Sequence, residues 1–182
     1  MTSKRLSVIV NPFSGRGRGL QILDRIRPGL EGAGFDLDVF VTKFSGHASE
    51  IAQSLQLEDC AGCCVIGGDG TVHEVIDGLM RRADGARVPV GLIPGGSANT
   101  IHQHMGCLDP CEAAQTIASG VTCGLDIARV TMDSEVVYSF DIVGWGVASD
   151  INCMAEKLRW LGSSRYAVAS LLAIVWTRPR RA

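Results

Sequence analysis

Gly67-Gly68-Asp69-Gly70-Thr71-Val72-His73-Glu74-Val75 decides the fold. Ahead of it runs Cys63-Cys64-Val65-Ile66, a continuous apolar stretch that reads as a buried strand. Behind it Val72, Val75, Ile76 and Leu79 recur at helical spacing. The stretch is therefore a strand, a tight glycine turn and a helix start. Glycine permits positive φ and lets a ligand approach the backbone. The helix start offers unpaired N–H groups and a partial positive charge, both suited to phosphate. Asp69 is at odds with a bare phosphate site, because a lone carboxylate repels one. It fits as a metal-linked group or as a base that takes a proton from an attacking hydroxyl. A turn aspartate that caps the helix is the plainer reading.

The turn has two companions. Residues 6–10 read as a short buried strand that opens into Asn11-Pro12-Phe13-Ser14-Gly15-Arg16-Gly17-Arg18-Gly19, after which Leu20, Leu23, Ile26 and Leu30 return at helical spacing. The guanidinium groups of Arg16 and Arg18 suit bidentate phosphate contacts; a flexible basic turn is the competing reading. With glycines at 15, 17 and 19, the third position of GxGxxG falls on Leu20, and GxxxxGK[ST] is absent. A dinucleotide oxidoreductase is disfavoured accordingly. The third junction is the strand-like run 88–93 opening into Pro94-Gly95-Gly96-Ser97-Ala98-Asn99-Thr100, where Ser97, Asn99 and Thr100 offer hydrogen-bonding side chains. Between these lie a strand over 37–42, a loop through Lys43-Phe44-Ser45-Gly46, and a helix facing inward with Ala48, Ile51, Ala52 and Leu55. Asp109-Pro110 is a good N-cap and first-turn pair for a helix carrying Ala113, Ala114 and Ile117. Strands alternating with helices on short loops predict an α/β fold with a mainly parallel sheet. Ligands bind such sheets at the carboxyl ends of the strands, where all three glycine turns fall.

After Gly120 the texture changes. Residues 121–130 and 135–143 read as adjacent strands joined through Met132-Asp133-Ser134. A helix follows from about Ile151, breaks at Leu161-Gly162, and gives way to an apolar helix over 166–176. This predicts an α/β domain over 1–120 and the beginning of a second domain over 121–182, thin for a core of its own. A hydrophobic content of 46% and a net charge of −2 over 182 residues indicate a globular protein with no basic surplus to suggest nucleic acid. There is no signal-peptide core and no apolar run of about 18 residues to span a membrane. Seven scattered cysteines predict reduced thiols in an intracellular setting. Cys60-x-x-Cys63-Cys64 lacks a second ligand pair, Cys107 and Cys111 are weaker still, and no metal-ligand set is assigned. His73 reads as a structural hydrogen-bonding residue, and His47, His102 and His104 as loop or helix-face residues. Trp145, Trp160 and Trp176 suit a core, a domain interface or a lipid tunnel. The basic end, Arg178 to Arg181, reads as a solvated tail.

Together, Asn11-Pro12 with its glycine loop, the Gly67–Val75 stretch, and Pro94-Gly95-Gly96-Ser97-Ala98-Asn99 resemble the catalytic region of the diacylglycerol kinase, sphingosine kinase and ceramide kinase superfamily. Gly144-Trp145-Gly146 through Asp150, with Glu156-Lys157-x-Arg159-Trp160-Leu161-Gly162-x-x-Arg165-Tyr166, looks like the sphingoid-base and ceramide kinase branch, and its tail is most similar to ceramide kinases. The resemblance implies a three-layer, phosphofructokinase-like nucleotide-binding domain followed by a β-rich lipid-binding domain. It also implies ATP and Mg2+ as cofactors, a lipid substrate presented at a membrane, and a cytoplasmic protein in peripheral membrane contact.

The resemblance assigns roles residue by residue. Asp69 matches the general base for the lipid hydroxyl. Asn11, Gly15, Arg16, Gly17 and Arg18 fall on the phosphate-binding loop and Thr42 on a nucleotide-contacting loop. Gly67, Gly68, Gly70, Thr71 and Glu74 belong to the central motif, and Gly95, Gly96, Ser97 and Asn99 to the third turn. Arg159 and Arg165 match basic residues near the ATP phosphates. Asp150 is a candidate for the lipid headgroup. Asn152 stands where sphingosine kinases carry an acid that meets the lipid amine, which leans towards an amide-linked lipid such as ceramide. The chain stops where the lipid-binding lobe would continue, so the expectation is either a fragment of a longer protein or a product with half its cleft. The expected activity is ATP-dependent phosphorylation of a sphingolipid primary hydroxyl. A glycerolipid kinase and a non-catalytic nucleotide-binding module are the alternatives.

Overall fold

The computed structural model describes residues 4–132, 134–140 and 147–176, without the side chains of residues 147–149, 159, 160, 163 and 174–176. The chain divides into two compact units, one running to Phe140 and one beyond it.

The first unit is built on four strands: β1 (Lys4–Val10), β2 (Phe35–Val41), β3 (Cys60–Gly67) and β4 (Val90–Pro94). They lie in the order β2-β1-β3-β4, and every pairing is parallel. β1 and β3 occupy the centre and are apolar on both faces, which explains their continuous hydrophobic runs. β2 is the edge strand and alternates, with Asp36 and Asp38 on its exposed face; charge there discourages pairing with another chain.

The connecting helices cover both faces, as right-handed crossovers require when the chain first moves outward to β2 and then back past β1. On one face lie α2 (Gly19–Gly32), which follows a single turn, α1 (Ser14–Gly17), and α6 (Pro110–Ser119). Leu23, Ile26, Leu30, Ala113 and Ala114 pack there against Leu6, Val8, Val10, Cys64, Ile66 and Ile93. On the other lie α3 (His47–Ser54) and α4 (Asp69–Met80), with Ile51, Leu55, Val72, Val75 and Leu79 against Ile9, Cys63 and Val65. Each large side chain so buried contributes roughly 1.5–3 kcal/mol relative to exposure. Three layers, α/β/α, result. Leu20, expected on the inner face of α2, is instead largely exposed at the helix start. α6 opens as the sequence predicts, with Asp109 accepting from the N–H groups of Cys111 and Glu112 and Pro110 at its first position; Gly120 closes it at φ 71°.

One expectation about the strands is corrected in this unit. Residues 121–127 are not strand; only β5 (Ala128–Met132) pairs, antiparallel, with β6 (Glu135–Ser139). A strand persists only where a partner takes up its backbone groups, and β6 reaches no further back than Ala128. The hairpin lies against α4, where Asp77 accepts from the N–H of Tyr138 at 3.0 Å and Arg81 donates to the carbonyl of Val136. The cysteines also take separate places. Cys63 and Cys64 point to opposite faces of β3, so they cannot share a metal.

The second unit contains α7 (Val147–Lys157), a 3-10 segment over Arg159–Ser164 and α8 (Arg165–Trp176). Residues 141–146, including Gly144, Trp145 and Gly146, lie outside the described residues. No described helix is long and apolar enough to cross a membrane.

Candidate functional site

In an open parallel sheet the ligand crevice lies beyond the carboxyl ends of the strands, where neighbouring connections diverge. Here that point is between β1 and β3, because the chain leaves β1 for β2 on one side and returns to β3 on the other. The loop after β1 and the turn after β3 both end there, and the turn after β4 joins them.

Each turn is shaped by what a side chain would collide with. A Cβ on Gly15 would stand 2.4 Å from the carbonyl oxygen of Gly95, so the first and third turns meet backbone to backbone. A Cβ on Gly96 would stand 2.4 Å from Cα of Gly68, joining the third turn to the second in the same way. The N–H of Gly95 donates to the carbonyl of Gly67 at 2.8 Å and locks that contact. Asn99, in the left-handed region at φ 52°, accepts from the N–H of Gly96 and donates to its carbonyl, closing the third turn on itself. Asn11 donates from Nδ2 to Thr71 Oγ1 at 3.0 Å, which ties the end of β1 to the first turn of α4. The structure thus brings together Asn11, Gly15, Gly67, Gly68, Thr71, Gly95, Gly96 and Asn99.

The first turn also carries the positive charge. Arg16 sits at φ 66°, an unfavourable conformation for a side-chain-bearing residue. Arg18 donates from Nε to the carbonyl of Gly15 at 2.9 Å. Both are exposed. Neither α2 nor α4 has a side-chain cap at its start, so their opening N–H groups have no side-chain partner. Uncapped helix starts, guanidinium groups and glycines that leave backbone bare suit the phosphates of a nucleotide. Among the described residues no group of three or more His, Cys, Asp or Glu could hold a metal ion.

Asp69 is the first residue of α4 and the acid at the junction of the turns. Its carboxylate accepts from Thr100 Oγ1 at 3.4 Å and from the N–H of Ile101 at 3.4 Å, both at the start of a short helix, α5 (Thr100–His104). These contacts are long, and the group is only partly buried. α5 has no counterpart in the sequence reading, and neither has the placement of His102. That residue is not on an open helix face: it is 2% exposed, and burial pulls its pKa down while the negative charge of Asp69 opposes the shift.

The remaining candidates fall into place locally. Thr42 is buried, and its N–H donates to the carbonyl of Val10 at 2.9 Å, holding the loop after β2 beside the first turn. Glu74 accepts from the N–H of Ala48 and from Ser45 Oγ, so its carboxylate secures the start of α3. Ser97 and Gly70 are exposed, and Gly17 sits at φ 82° with open space around its Cα. In the second unit, Arg165 pairs with Glu156 at 3.5 Å and donates to Tyr166 Oη, Asp150 lies in the first turn of α7, and Asn152 is exposed on that helix. The side chain of Arg159 lies outside the described residues.

Comparison with known proteins now bears on this arrangement. A family model described as the diacylglycerol kinase catalytic domain matches residues 5–130. Sphingosine kinase 1 of Arabidopsis thaliana is 33% identical over 96% of this chain and 38% of its own length. Ceramide kinase of Homo sapiens is 31% identical over 92% of this chain and 35% of its own length. A crystal structure of a diacylglycerol kinase from Bacillus anthracis str. Sterne superposes with a TM-score of 0.59 at 30% identity, covering 70% of this chain and 46% of that one. The chain thus spans less than half the length of these relatives.

Proposed function

The chain belongs to the diacylglycerol kinase catalytic domain family, and on that footing we propose that it is the nucleotide-binding part of an ATP-dependent lipid kinase. The observation that carries the reading is Asp69, an acid on a helix start where three glycine turns converge. Bound ATP, with Mg2+ on its phosphates, would supply the transferable phosphoryl group and the leaving group. The chain's own residues supply position and charge, which is most of what phosphoryl transfer asks of a protein. Backbone N–H groups at the starts of α2 and α4, with Arg16 and Arg18, hold the negative charge of the phosphates. Asp69 accepts the proton of the attacking lipid hydroxyl as its oxygen bonds to the γ-phosphorus and the bond to the departing diphosphate breaks.

We assign the lipid to the sphingolipids, with a primary hydroxyl as acceptor. Named sphingosine and ceramide kinases among the relatives support this. Asn152, which offers no charge for a lipid ammonium, favours an amide-linked lipid. The solved diacylglycerol kinase favours a glycerolipid as the second reading. Peripheral contact with the membrane that presents the lipid belongs to the same proposal.

The test is phosphate transfer from radiolabelled ATP with Mg2+ to sphingosine, ceramide and diacylglycerol in mixed micelles. It is run on this chain and on a version extended by the family's C-terminal portion. Transfer to ceramide or sphingosine supports the reading, and transfer to diacylglycerol alone selects the second. Silence on every lipid from folded protein that still binds nucleotide leaves a non-catalytic binding module. Asp69→Ala should abolish transfer while nucleotide binding survives; unchanged turnover removes the base role.

A further inference from the structure

His102 is buried at an apparent loss. It is 2% exposed, and neither Nδ1 nor Nε2 has a hydrogen-bond partner among the described residues. A neutral imidazole always presents one N–H and one lone pair, and leaving both unpaired in the interior forfeits the hydrogen bonds that water would make. A leucine would fill the space without that loss. Such orphaned groups in a folded protein ask for an explanation.

Asp69 supplies one. Ile101, the neighbour of His102 in the chain, donates its backbone N–H to Asp69 Oδ1, and Thr100 donates to Oδ2, both at 3.4 Å. These bonds are weak enough to leave each carboxylate oxygen with acceptor capacity to spare. α5 therefore carries a buried, unpaired donor one residue from the amide that Asp69 holds, near enough for the charge of Asp69 to act on the ring. We infer that His102 is a positioning residue for Asp69, giving a ring N–H to its carboxylate, directly or through one water, once nucleotide fills the site. The bond fixes which carboxylate oxygen faces the hydroxyl. The ring itself does not touch substrate, and because burial disfavours its charged form it stays neutral and keeps an N–H to give.

This inference rests on Asp69 acting as the base, and its test separates the two. In the extended, active protein, His102→Leu removes both orphaned atoms and should melt no lower than wild type. Its kcat should fall by about tenfold or more, since displacing a reacting group by about 1 Å costs on the order of 10²-fold, while KM for ATP stays unchanged. His102→Gln, which retains an N–H donor, should recover most of that loss. A leucine variant at full kcat, or glutamine as slow as leucine, overturns the inference. A second arm needs no turnover: the ring 15N shifts of His102 are recorded with a non-hydrolysable ATP analogue bound, in wild type and in Asp69→Asn. A change in ring tautomer or in the protonated-nitrogen shift supports the pairing, and identical spectra overturn it. That arm decides the matter even where no lipid is phosphorylated or a His102 variant fails to fold.

Discussion

At the scale of single residues, the turns separate two things that a glycine can supply. Gly15 and Gly17 both lie at positive φ, at 55° and 82°. Only Gly15 also abuts backbone, at 2.4 Å from the Gly95 carbonyl; nothing lies within 4 Å of a Cβ on Gly17. Gly17→Ala should therefore lose about 1 kcal/mol of stability, the cost of left-handed backbone alone. Gly15→Ala should lose a further 1–3 kcal/mol, on the order of an overpacking penalty, and should weaken nucleotide binding as the first and third turns part. Urea unfolding of both variants, with a fluorescent ATP analogue as ligand, checks the pair. Equal losses at the two positions would mean that contact between the turns contributes nothing.

At the scale of elements, helix starts are held by carboxylates from another helix or from their own caps. Glu74, on α4, secures the start of α3, and Asp69, at the head of α4, secures the start of α5. The start of α6 is held by Asp109, whose carboxylate sits below its usual pKa because the N–H groups of Glu112 and then Cys111 stabilise the anion, with Arg25 adding to the effect. The folded value lies below the unfolded one, so this stabilisation is complete above the ordinary aspartate range near pH 3.9. It is lost as pH falls through the depressed folded value. Asp109→Ala should thus melt below wild type at pH 7, and the gap should narrow as pH falls below the ordinary aspartate range. A gap that stays constant well below that range would assign the effect to something other than the ionised cap. Thermal melts across the pH series decide it.

At the scale of the whole molecule, the parallel sheet was the most legible part of the sequence. β1 and β3 are buried on both faces, so their apolar runs are unbroken, and the glycine turns mark their ends without ambiguity. The carboxyl-edge convergence followed from topology. What the sequence did not reveal depends on contacts between distant residues. Nothing near Glu74 announces that it holds Ala48, α5 is too short to show a period, and His102 is buried by its neighbours rather than by its own pattern. Residues 121–127 read as strand because they are apolar enough, yet a strand also needs a partner. The same central burial gives a global probe. Burial, with the nearby Cys60 adding to it, pushes the Cys63 thiol up to about 12, and Cys64 is raised further still. Iodoacetamide at about pH 8 should therefore modify the exposed Cys123 and Cys153 in folded protein and reach Cys63 and Cys64 only through global opening. Peptide mass spectrometry with and without urea reads this directly. Rapid labelling of Cys63 or Cys64 in native buffer would show that the sheet centre opens without the rest.

The backbone-to-backbone meeting of the three turns has a consequence for anyone mapping the site by mutation. Scanning with alanine is designed as subtraction: atoms are removed, and a loss of binding is credited to them. At Gly15, Gly67, Gly68, Gly95 and Gly96 alanine is an addition, and the added atom would land between 2.4 and 3.1 Å from a neighbour. A scan here measures intolerance to bulk, and what these glycines could offer a phosphate is main-chain amide, which no side-chain substitution deletes. Replacing single amides with esters in a semisynthetic chain is the subtraction this surface permits.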